Sequence, residues 1–131
     1  IAGKMHGAGS KEPVMNEEIA KRFIQAGADV LLVPAVGTVP GFTDEELVAI
    51  VKVAHANDAL VLSAIGTSQE GSSKEVIEQI AIRNKVAGVD IQHIGDAGYG
   101  GLATVENIYA MSVAIRGVRH TVARMARSVI R

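Results

Sequence analysis

Hydrophobic and polar positions along this chain alternate between two kinds of segment, and the same pair of segments occurs four times. Short runs rich in Val, Ile, Leu and Ala predict buried β-strands at Ile1–Met5, Asp29–Val33, Leu60–Ile65 and Val89–Ile94. Each run is followed by a glycine-rich polar loop and then by an amphipathic helix, at a spacing of about thirty residues. Because each helix returns the chain to the start of the next strand, this order predicts an α/β protein with a parallel sheet.

Capping signals indicate where the four helices begin. The signals are Asn16 for the first helix, Thr43 with Glu46 for the second, Ser72 with Glu75 for the third and Thr104 for the fourth. The expected inward side chains are Ile19, Phe23 and Ile24, then Leu47, Ile50, Val51 and Ala54, then Val76, Ile77 and Ile80, then Ile108, Met111 and Ile115. Gly27, Gly88 and Gly117 are placed to end three of these helices, and residues 119–131 predict a further one.

Four βα units can form half of a (βα)8 TIM-type barrel or, alternatively, a flavodoxin-like open sheet. A complete barrel needs ~250 residues, so the 131 residues suit a single (βα)4 unit, residues 1–131, that is the C-terminal half of a longer barrel. The chain also starts inside a strand-like run without an initiator Met, which suggests that a preceding part is missing. A half barrel leaves two sheet edges unpaired, so we expect it to bind the missing N-terminal half or a second copy of the chain.

Composition narrows the class of protein further. Apolar residues make up 48% of the chain and aromatic residues only 3%, which predicts a core of aliphatic side chains. The absence of cysteine excludes disulfides, thiolate nucleophiles and cysteine zinc sites. No signal peptide or membrane-spanning run is visible, so a cytoplasmic location is expected. A basic stripe at His120, Arg124, Arg127 and Arg131 lacks interleaved aromatic residues, so neither a nucleic acid nor a membrane is expected as a partner.

Two glycine-rich loops come directly before the third and fourth helices. The loop starting at Gly66-Thr67-Ser68 and the loop containing Gly95, Gly98 and Gly100 would let backbone N–H groups approach an anion near a helix N-terminus. Many barrels hold a phosphate in this way after their last two strands. The alternative is that the glycines only allow tight turns. Neither a Walker A sequence nor the Rossmann glycine pattern is present, so no nucleotide cofactor is expected.

Side chains that could carry chemistry lie near the same loops. Lys4 and His6 share one face of the first strand, and His93 lies near the end of the last; all three are catalytic candidates, although a lone histidine is as often a structural residue. Glu70 and Asp96 are the carboxylates nearest the glycine-rich loops and are candidates for holding Mg²⁺. Asp29 and Asp90 lie at strand starts, at the opposite edge, and are expected to be structural.

Four stretches carry a resemblance to a known family: Ile1–Gly9, Val33–Gly41, Ala64–Gly71 and His93–Tyr99. They resemble the C-terminal half of a bacterial TIM-barrel family whose members are labelled phosphoenolpyruvate phosphonomutase-like or haloacid-dehalogenase-like hydrolases. The resemblance covers essentially the whole chain and implies that it supplies strands five to eight of a barrel. The hydrolase label lacks support in this half, because the Asp-x-Asp-x-Thr/Val nucleophile motif is absent. The phosphonomutase label depends on carboxylates that such barrels carry in the other half.

The sequence therefore predicts a barrel enzyme that acts on a small phosphorylated or carboxylated metabolite. The reaction would be of the lyase, isomerase or mutase type, because no hydride-transfer or nucleotide motif is present. A non-catalytic sensor of phosphorylated ligands, with the basic stripe contacting a partner, is the alternative from a different functional class.

Overall fold

The computed structural model describes residues 1–4, 11, 13–95 and 103–127. The strands are β1 (Ala2–Gly3), β2 (Val30–Pro34), β3 (Leu60–Ile65) and β4 (Ile91–Ile94). The helices are α1 (Glu17–Gln25), α2 (Asp44–His55), α3 (Lys74–Val86) and α4 (Val105–Ala126), and a short 3-10 helix covers Gln69–Gly71. All strand pairs are parallel, so the predicted α/β class is confirmed.

The sheet has the strand order β1-β2-β3-β4, which follows the chain without reversal. Its register sets up rows of side chains across the strands, such as Leu32, Leu62 and Ile91. A flavodoxin-like sheet has the order 2-1-3-4-5, with a reversal at which ligands bind. A barrel arc and an open sheet are both compatible with the four strands described here.

One face of the sheet packs against the helices. Leu31, Val33 and Val61 form a core with the inward side chains of α1 and α2, and Ile65 forms a second core with those of α3 and α4. Right-handed crossovers in a sheet of sequential order place every helix on the same side. The other face, which we call the helix-free face, carries Val30, Leu32, Leu60, Leu62 and Ile91. Leu60 is 44% exposed and Ile91 is 38% exposed.

Three of the four predicted helix caps are present. Asn16 accepts a hydrogen bond from the Ile19 amide at 2.8 Å. Thr43 and Glu46 form a complete capping box, and Thr104 accepts from the Asn107 amide at 3.2 Å. The predicted box of Ser72 with Glu75 is wrong. The Ser72 amide closes the preceding 3-10 helix by donating to the Gln69 carbonyl, so α3 begins one residue later, with Ser73 as its N-cap.

Two side chains predicted to face inward are exposed: Val76 (39%) and Ile108 (49%). In α3 the buried stripe is Ile77, Ile80, Ala81 and Asn84, and in α4 it is Asn107, Ala110 and Met111, before the stripe reaches the break described below. Both stripes include a buried asparagine. Ile77, Ile80 and Met111 are buried as predicted, so the errors are confined to Val76 and Ile108 and to the two asparagines, which hydrophobicity alone does not assign to the inward face.

Gly117 divides α4 into two segments. Its φ of 79° and ψ of 163° lie in a region that is open essentially only to glycine. The chain bends so sharply there that Ser112 Oγ and Thr121 Oγ1 lie 3.0 Å apart, although nine residues of straight helix would separate them by ~13 Å. The predicted end of the fourth helix at Gly117 is thus a break, and the predicted further helix is the second segment of α4, through Ala126.

Candidate functional site

The loop after β3 contains a strained turn at the carboxyl edge of the sheet, where α/β proteins bind ligands. The Gln69 amide donates to the Gly66 carbonyl at 3.1 Å, and Thr67 and Ser68 between them have φ values of 57° and 70°. This is a type I′ turn, whose central positions usually hold Asn and Gly. Left-handed backbone costs an L-residue ~1–2 kcal/mol, and a β-branched residue such as Thr67 is rarely found there.

Side-chain hydrogen bonds hold this turn in place. Thr67 Oγ1 lies 2.6 Å from the Gly66 carbonyl oxygen and 3.2 Å from the Thr38 carbonyl oxygen in the loop after β2. The Gln69 amide nitrogen, when oriented toward Thr67, donates to Thr67 Oγ1 at 2.6 Å. The loops after β2 and β3 are therefore joined through Thr67, while the Ser68 side chain is exposed.

Glu70 follows the turn and is the most unusual polar residue of the loop. Its side chain is only 5% exposed, and its Oε2 has no hydrogen-bond partner among the residues that the structure describes. A buried carboxylate oxygen without a partner is costly, and a bound cation would be one partner that offsets this cost. Ser63 Oγ is also without a partner in the described residues, but a neutral hydroxyl costs less to bury than a charged group.

Two buried asparagines fix the loops on either side of this site. Asn107 Nδ2 donates to the carbonyls of Glu70 and Ser72 at 2.9 and 2.8 Å. Asn84 holds the loop after β2, since its Oδ1 accepts from the Val36 amide at 3.2 Å and its Nδ2 donates to the Ile80 carbonyl at 2.8 Å. The sequence analysis missed both residues, although an Asn in line with an apolar helix stripe is a usable signal.

The N-terminus of α3 lies next to the same loop, but a carboxylate already occupies it. The pKa of Glu75 is lowered, first by a hydrogen bond from its own backbone amide and then by one from the Ser73 side chain. An anion at this helix end would have to compete with Glu75. Any anion site at Gly66, Thr67 and Ser68 therefore depends on the strained turn rather than on the helix N-terminus.

His93 lies at the carboxyl end of β4, in register with Ala64. Side chains alternate along a strand, so His93 lies on the helix-free face, and its side chain is exposed. The neighbouring Gln92 lies on the opposite face and donates to the Ala81 carbonyl in α3 at 2.9 Å. Gly95 ends the strand, with its amide bonded to the Ile65 carbonyl at 3.0 Å.

Lys4 follows β1 at the other side of the sheet, where its amide donates to the Leu32 carbonyl at 3.2 Å. Three strand spacings, ~14 Å in all, separate this edge strand from that of His93. The β1–β2 register pairs Gly3 with Leu32, so Lys4 comes next to Val33, whose side chain lies on the helix side of the sheet. Lys4 and His93 therefore also lie on opposite faces of the sheet. The four strands thus do not bring these two candidates together.

The remaining candidates, His6, Asp96, Gly98 and Gly100, lie outside the described residues. The proposed pairing of Glu70 with Asp96 around a metal ion consequently stays a prediction. Within the described ranges, no group of three or more His, Asp or Glu side chains is arranged to hold a metal ion.

The opposite edge of the sheet carries a second polar group, His55 and Asp90. His55 Nε2 lies 2.9 Å from Asp90 Oδ2, which also accepts from the Val61 amide at 2.8 Å. Burial raises the pKa of Asp90, but the hydrogen bonds from His55 and Val61 outweigh this effect and lower the pKa overall. The pair joins the end of α2 to the start of β4, in line with the structural role expected for Asp90.

Comparison with known families gives one match along the whole chain. The family model described as Domain of unknown function (DUF7916) matches residues 1–131. The chain belongs to this family. A search of curated proteins finds no match. Because the family description states no reaction, the function has to be argued from the loop after β3 and its surroundings.

Among the helices of the described residues, none is both long and apolar enough to cross a membrane.

Proposed function

We propose that this chain forms part of a barrel-type enzyme that acts on a small phosphorylated or carboxylated metabolite, in a lyase, isomerase or mutase reaction. The observation that carries the proposal is the loop after β3, where a strained turn directly precedes the buried carboxylate of Glu70. Backbone strain of this kind persists only where the surrounding structure enforces it, and it clusters at ligand sites. Here Thr67, Gln69 and Asn107 enforce it.

Glu70 supports a divalent cation such as Mg²⁺ in this site. Mg²⁺ is bound through one or two carboxylates together with oxygens of the substrate and water. Such an ion would supply the partner that Glu70 Oε2 lacks among the described residues. It would also attract an anionic substrate toward Gly66, Thr67 and Ser68. Asp96, Gly95, Gly98 and Gly100 of the next loop would complete the metal and anion contacts.

His93 is the acid–base candidate that the geometry favours. It is exposed at the carboxyl end of the helix-free face, and an imidazole can donate or accept a proton near neutral pH. Lys4 follows the edge strand β1 and would act only on a ligand long enough to reach from β4 to that edge, while His6 stays a candidate from the sequence. The chemistry supplied by the cation would be stabilisation of negative charge that develops on a substrate oxygen.

The test compares Glu70→Gln with Glu45→Gln, an exposed glutamate of α2. The free energy of unfolding is measured in urea with EDTA, with MgCl₂ or MnCl₂, and with inorganic phosphate added to each. With EDTA we expect Glu70→Gln to be at least as stable as the wild type, because the buried charge is removed. At ten times its Kd the metal ion should stabilise the wild type and Glu45→Gln by ~1.4 kcal/mol, and Glu70→Gln by much less.

The proposal is wrong if neither the metal ions nor phosphate stabilise the wild type, or if Glu70→Gln responds to them as strongly as the wild type does. A phosphorylated-ligand sensor is the second candidate. The separation of Lys4 from His93 favours it, because these two candidates then form no acid–base pair at the carboxyl edge. A sensor would show the same metal and phosphate response, but replacing His93 with Gln would leave ligand binding unchanged and no substrate would be consumed.

A further inference from the structure

The break in α4 divides a stripe of apolar side chains that is continuous in the sequence. These residues recur at alternating intervals of four and three, the spacing that places side chains on one face of a continuous helix: Met111, Ile115, Val118, Val122 and Met125. Met111 is 4% exposed and Ile115 packs against the second core, whereas the other three are 55%, 49% and 64% exposed. This α4 stripe is thus covered before the break and uncovered after it.

The break lies level with the end of α3, the helix that packs beside α4. Lys85, in the last turn of α3, donates from Nζ to the Ile115 carbonyl at 2.6 Å. That carbonyl lies at the end of the first segment, where helix carbonyls lack partners within the helix and a positive charge is favourable. Because α3 ends at Val86, a straight α4 would extend past it. The second segment folds back instead, and Thr121 is buried beside Ser112.

The bent form is held by side-chain contacts that a straight helix would replace with backbone hydrogen bonds. Lys85 would give up the Ile115 carbonyl to a backbone amide one turn further along, and Ser112 would separate from Thr121. Glycine adopts left-handed and right-handed backbone states about equally readily. Outside its own turn of helix, no described atom lies within 4 Å of the position that a Cβ on Gly117 would take. The surroundings of Gly117 therefore leave room for both forms.

We propose that α4 is a two-state element, bent at Gly117 in one state and a continuous helix over residues 105–126 in the other. Lys85 stabilises the bent state through the Ile115 carbonyl. Straightening carries the second segment past the end of α3 and joins the two halves of the α4 stripe into one helix face. The element is a conformational switch that decides whether this face is divided or continuous. It is independent of the proposed ligand site, because neither the stripe nor the contacts at the break include a residue of the loop after β3.

The test measures the distance between the two ends of α4 by double electron–electron resonance. The chain has no cysteine, so Val105→Cys and Ala126→Cys, both at exposed positions, carry the spin labels. A straight helix places these two Cα atoms ~32 Å apart. The bent state gives a much shorter distance, because Val105 and Met125 line the same groove. We expect the short distance to dominate in the otherwise unchanged chain, with the long distance as a minor component.

Two further substitutions should shift this ratio toward the straight helix. Gly117→Ala should raise the ratio of straight to bent at least ~10-fold, since alanine favours a helix and is strongly disfavoured at the φ and ψ of the bend. Lys85→Met should also raise it, because it removes the donor to the Ile115 carbonyl. Lys74→Met is the matched control, since Lys74 is an exposed lysine in the first turn of α3 and should leave the ratio unchanged.

Circular dichroism establishes that each variant is folded, and Lys85→Met carries the test if Gly117→Ala is not. One and the same distance in the labelled parent chain and in both variants would overturn the proposal. A long component that Lys74→Met increases as much as Lys85→Met does would overturn it too.

Amide hydrogen exchange, measured by NMR, gives a second readout without labels. Residues 118–120 begin the second segment, where N–H groups lack partners within the helix. In a continuous helix the same N–H groups are bonded to carbonyls of the first segment. Gly117→Ala should therefore slow exchange at residues 118–120 selectively. Unchanged or faster exchange there in a folded Gly117→Ala variant contradicts the straight state.

Discussion

At the scale of single residues, the site depends on groups that sit in unfavourable states. Thr67 and Ser68 adopt left-handed backbone conformations, and the Glu70 carboxylate is buried without a described partner for Oε2. Glycine would adopt the left-handed backbone at lower cost, and an uncharged side chain would avoid the cost of burying a carboxylate. Their occurrence within four consecutive positions is what distinguishes this loop from the other turns that the structure describes.

Ser68→Gly is expected to stabilise the protein. Left-handed backbone costs ~1–2 kcal/mol in a serine, and glycine loses ~0.5–1 kcal/mol in extra backbone entropy, so the net gain should be up to ~1.5 kcal/mol. Asp58→Gly is the matched control, because Asp58 has a φ of 56° in the α2–β3 turn, away from the proposed site. Urea unfolding gives both values. If only Ser68→Gly is destabilising, the Ser68 side chain makes a stabilising contact that strain does not account for.

Asp90 predicts a specific pH dependence. Its pKa is lowered in the folded chain, so its charged form stabilises the fold above the unfolded pKa of ~3.9, and this contribution is lost as the pH falls through the lowered pKa. Asp90→Asn should therefore be less stable than the wild type at pH 6–7, and the difference should shrink steadily below ~pH 4. Urea unfolding over pH 2.5–7 measures the difference. A gap that stays constant, or widens in acid, contradicts the assignment.

At the scale of elements, buried amides determine where the carboxyl-edge loops lie. Asn84 fastens the loop after β2 to α3, and Asn107 fastens the loop after β3 to α4. Each asparagine takes a position within an apolar helix stripe, where it costs packing but satisfies loop carbonyls or amides that would otherwise be buried without partners. These hydrogen bonds anchor the loops after β2 and β3 to helices that are packed in the core.

Asn107→Ala should destabilise the chain by ~2–4 kcal/mol, because one buried and one partly buried carbonyl lose their donor. Asn57→Ala is the control, since Asn57 Nδ2 also donates to a helix carbonyl, that of Val53 at 2.8 Å, but on an exposed surface. Its loss should cost under ~1 kcal/mol. Equal effects in the two variants would mean that Asn107 does not clamp the loop, and the measured quantity is again the free energy of unfolding.

At the scale of the whole molecule, the described helices lie on one side of the sheet and the charged residues are unevenly distributed along the chain. The four described helices cover one face of the sheet, and acidic residues outnumber basic ones in residues 1–70, whereas basic residues outnumber acidic ones in residues 71–131. Parallel sheets are usually covered on both faces, and unpaired strand edges favour association with another strand. In a single chain, the two central strands of the sheet should therefore be the most stable against local opening, and the two edge strands the least stable.

Hydrogen exchange should show this gradient. Amides of β2 and β3, which have strand neighbours on both sides, are expected to exchange most slowly, and those of β1 and β4 faster. Raising the protein concentration should slow exchange in β1 and β4 selectively if a second copy covers the edges. Mass-spectrometric exchange at two concentrations gives the comparison. Uniform protection of all four strands at the lower concentration would contradict the gradient.

Much of the architecture could be predicted because local signals and burial agree. β3 was predicted at Leu60–Ile65, where it is found, since its apolar run is bounded on both sides by turn residues. The caps at Asn16, Thr43 and Thr104 follow from side chains that satisfy N–H groups three residues ahead. The cap of α3 was misplaced because two adjacent serines compete, and the preceding 3-10 helix decides between them.

The sequence by itself determined the α/β class, the number of strands, their positions along the chain and the edge at which the loops gather, because these follow from hydrophobic period and helix caps. Only the tertiary structure decided which residues meet. The left-handed turn at Thr67 and Ser68, the burial of Glu70, the clamps from Asn84 and Asn107 and the separation of Lys4 from His93 all depend on contacts between distant segments. Local pattern sets the backbone elements, whereas the cost or benefit of a polar side chain is set by the partners that packing brings to it.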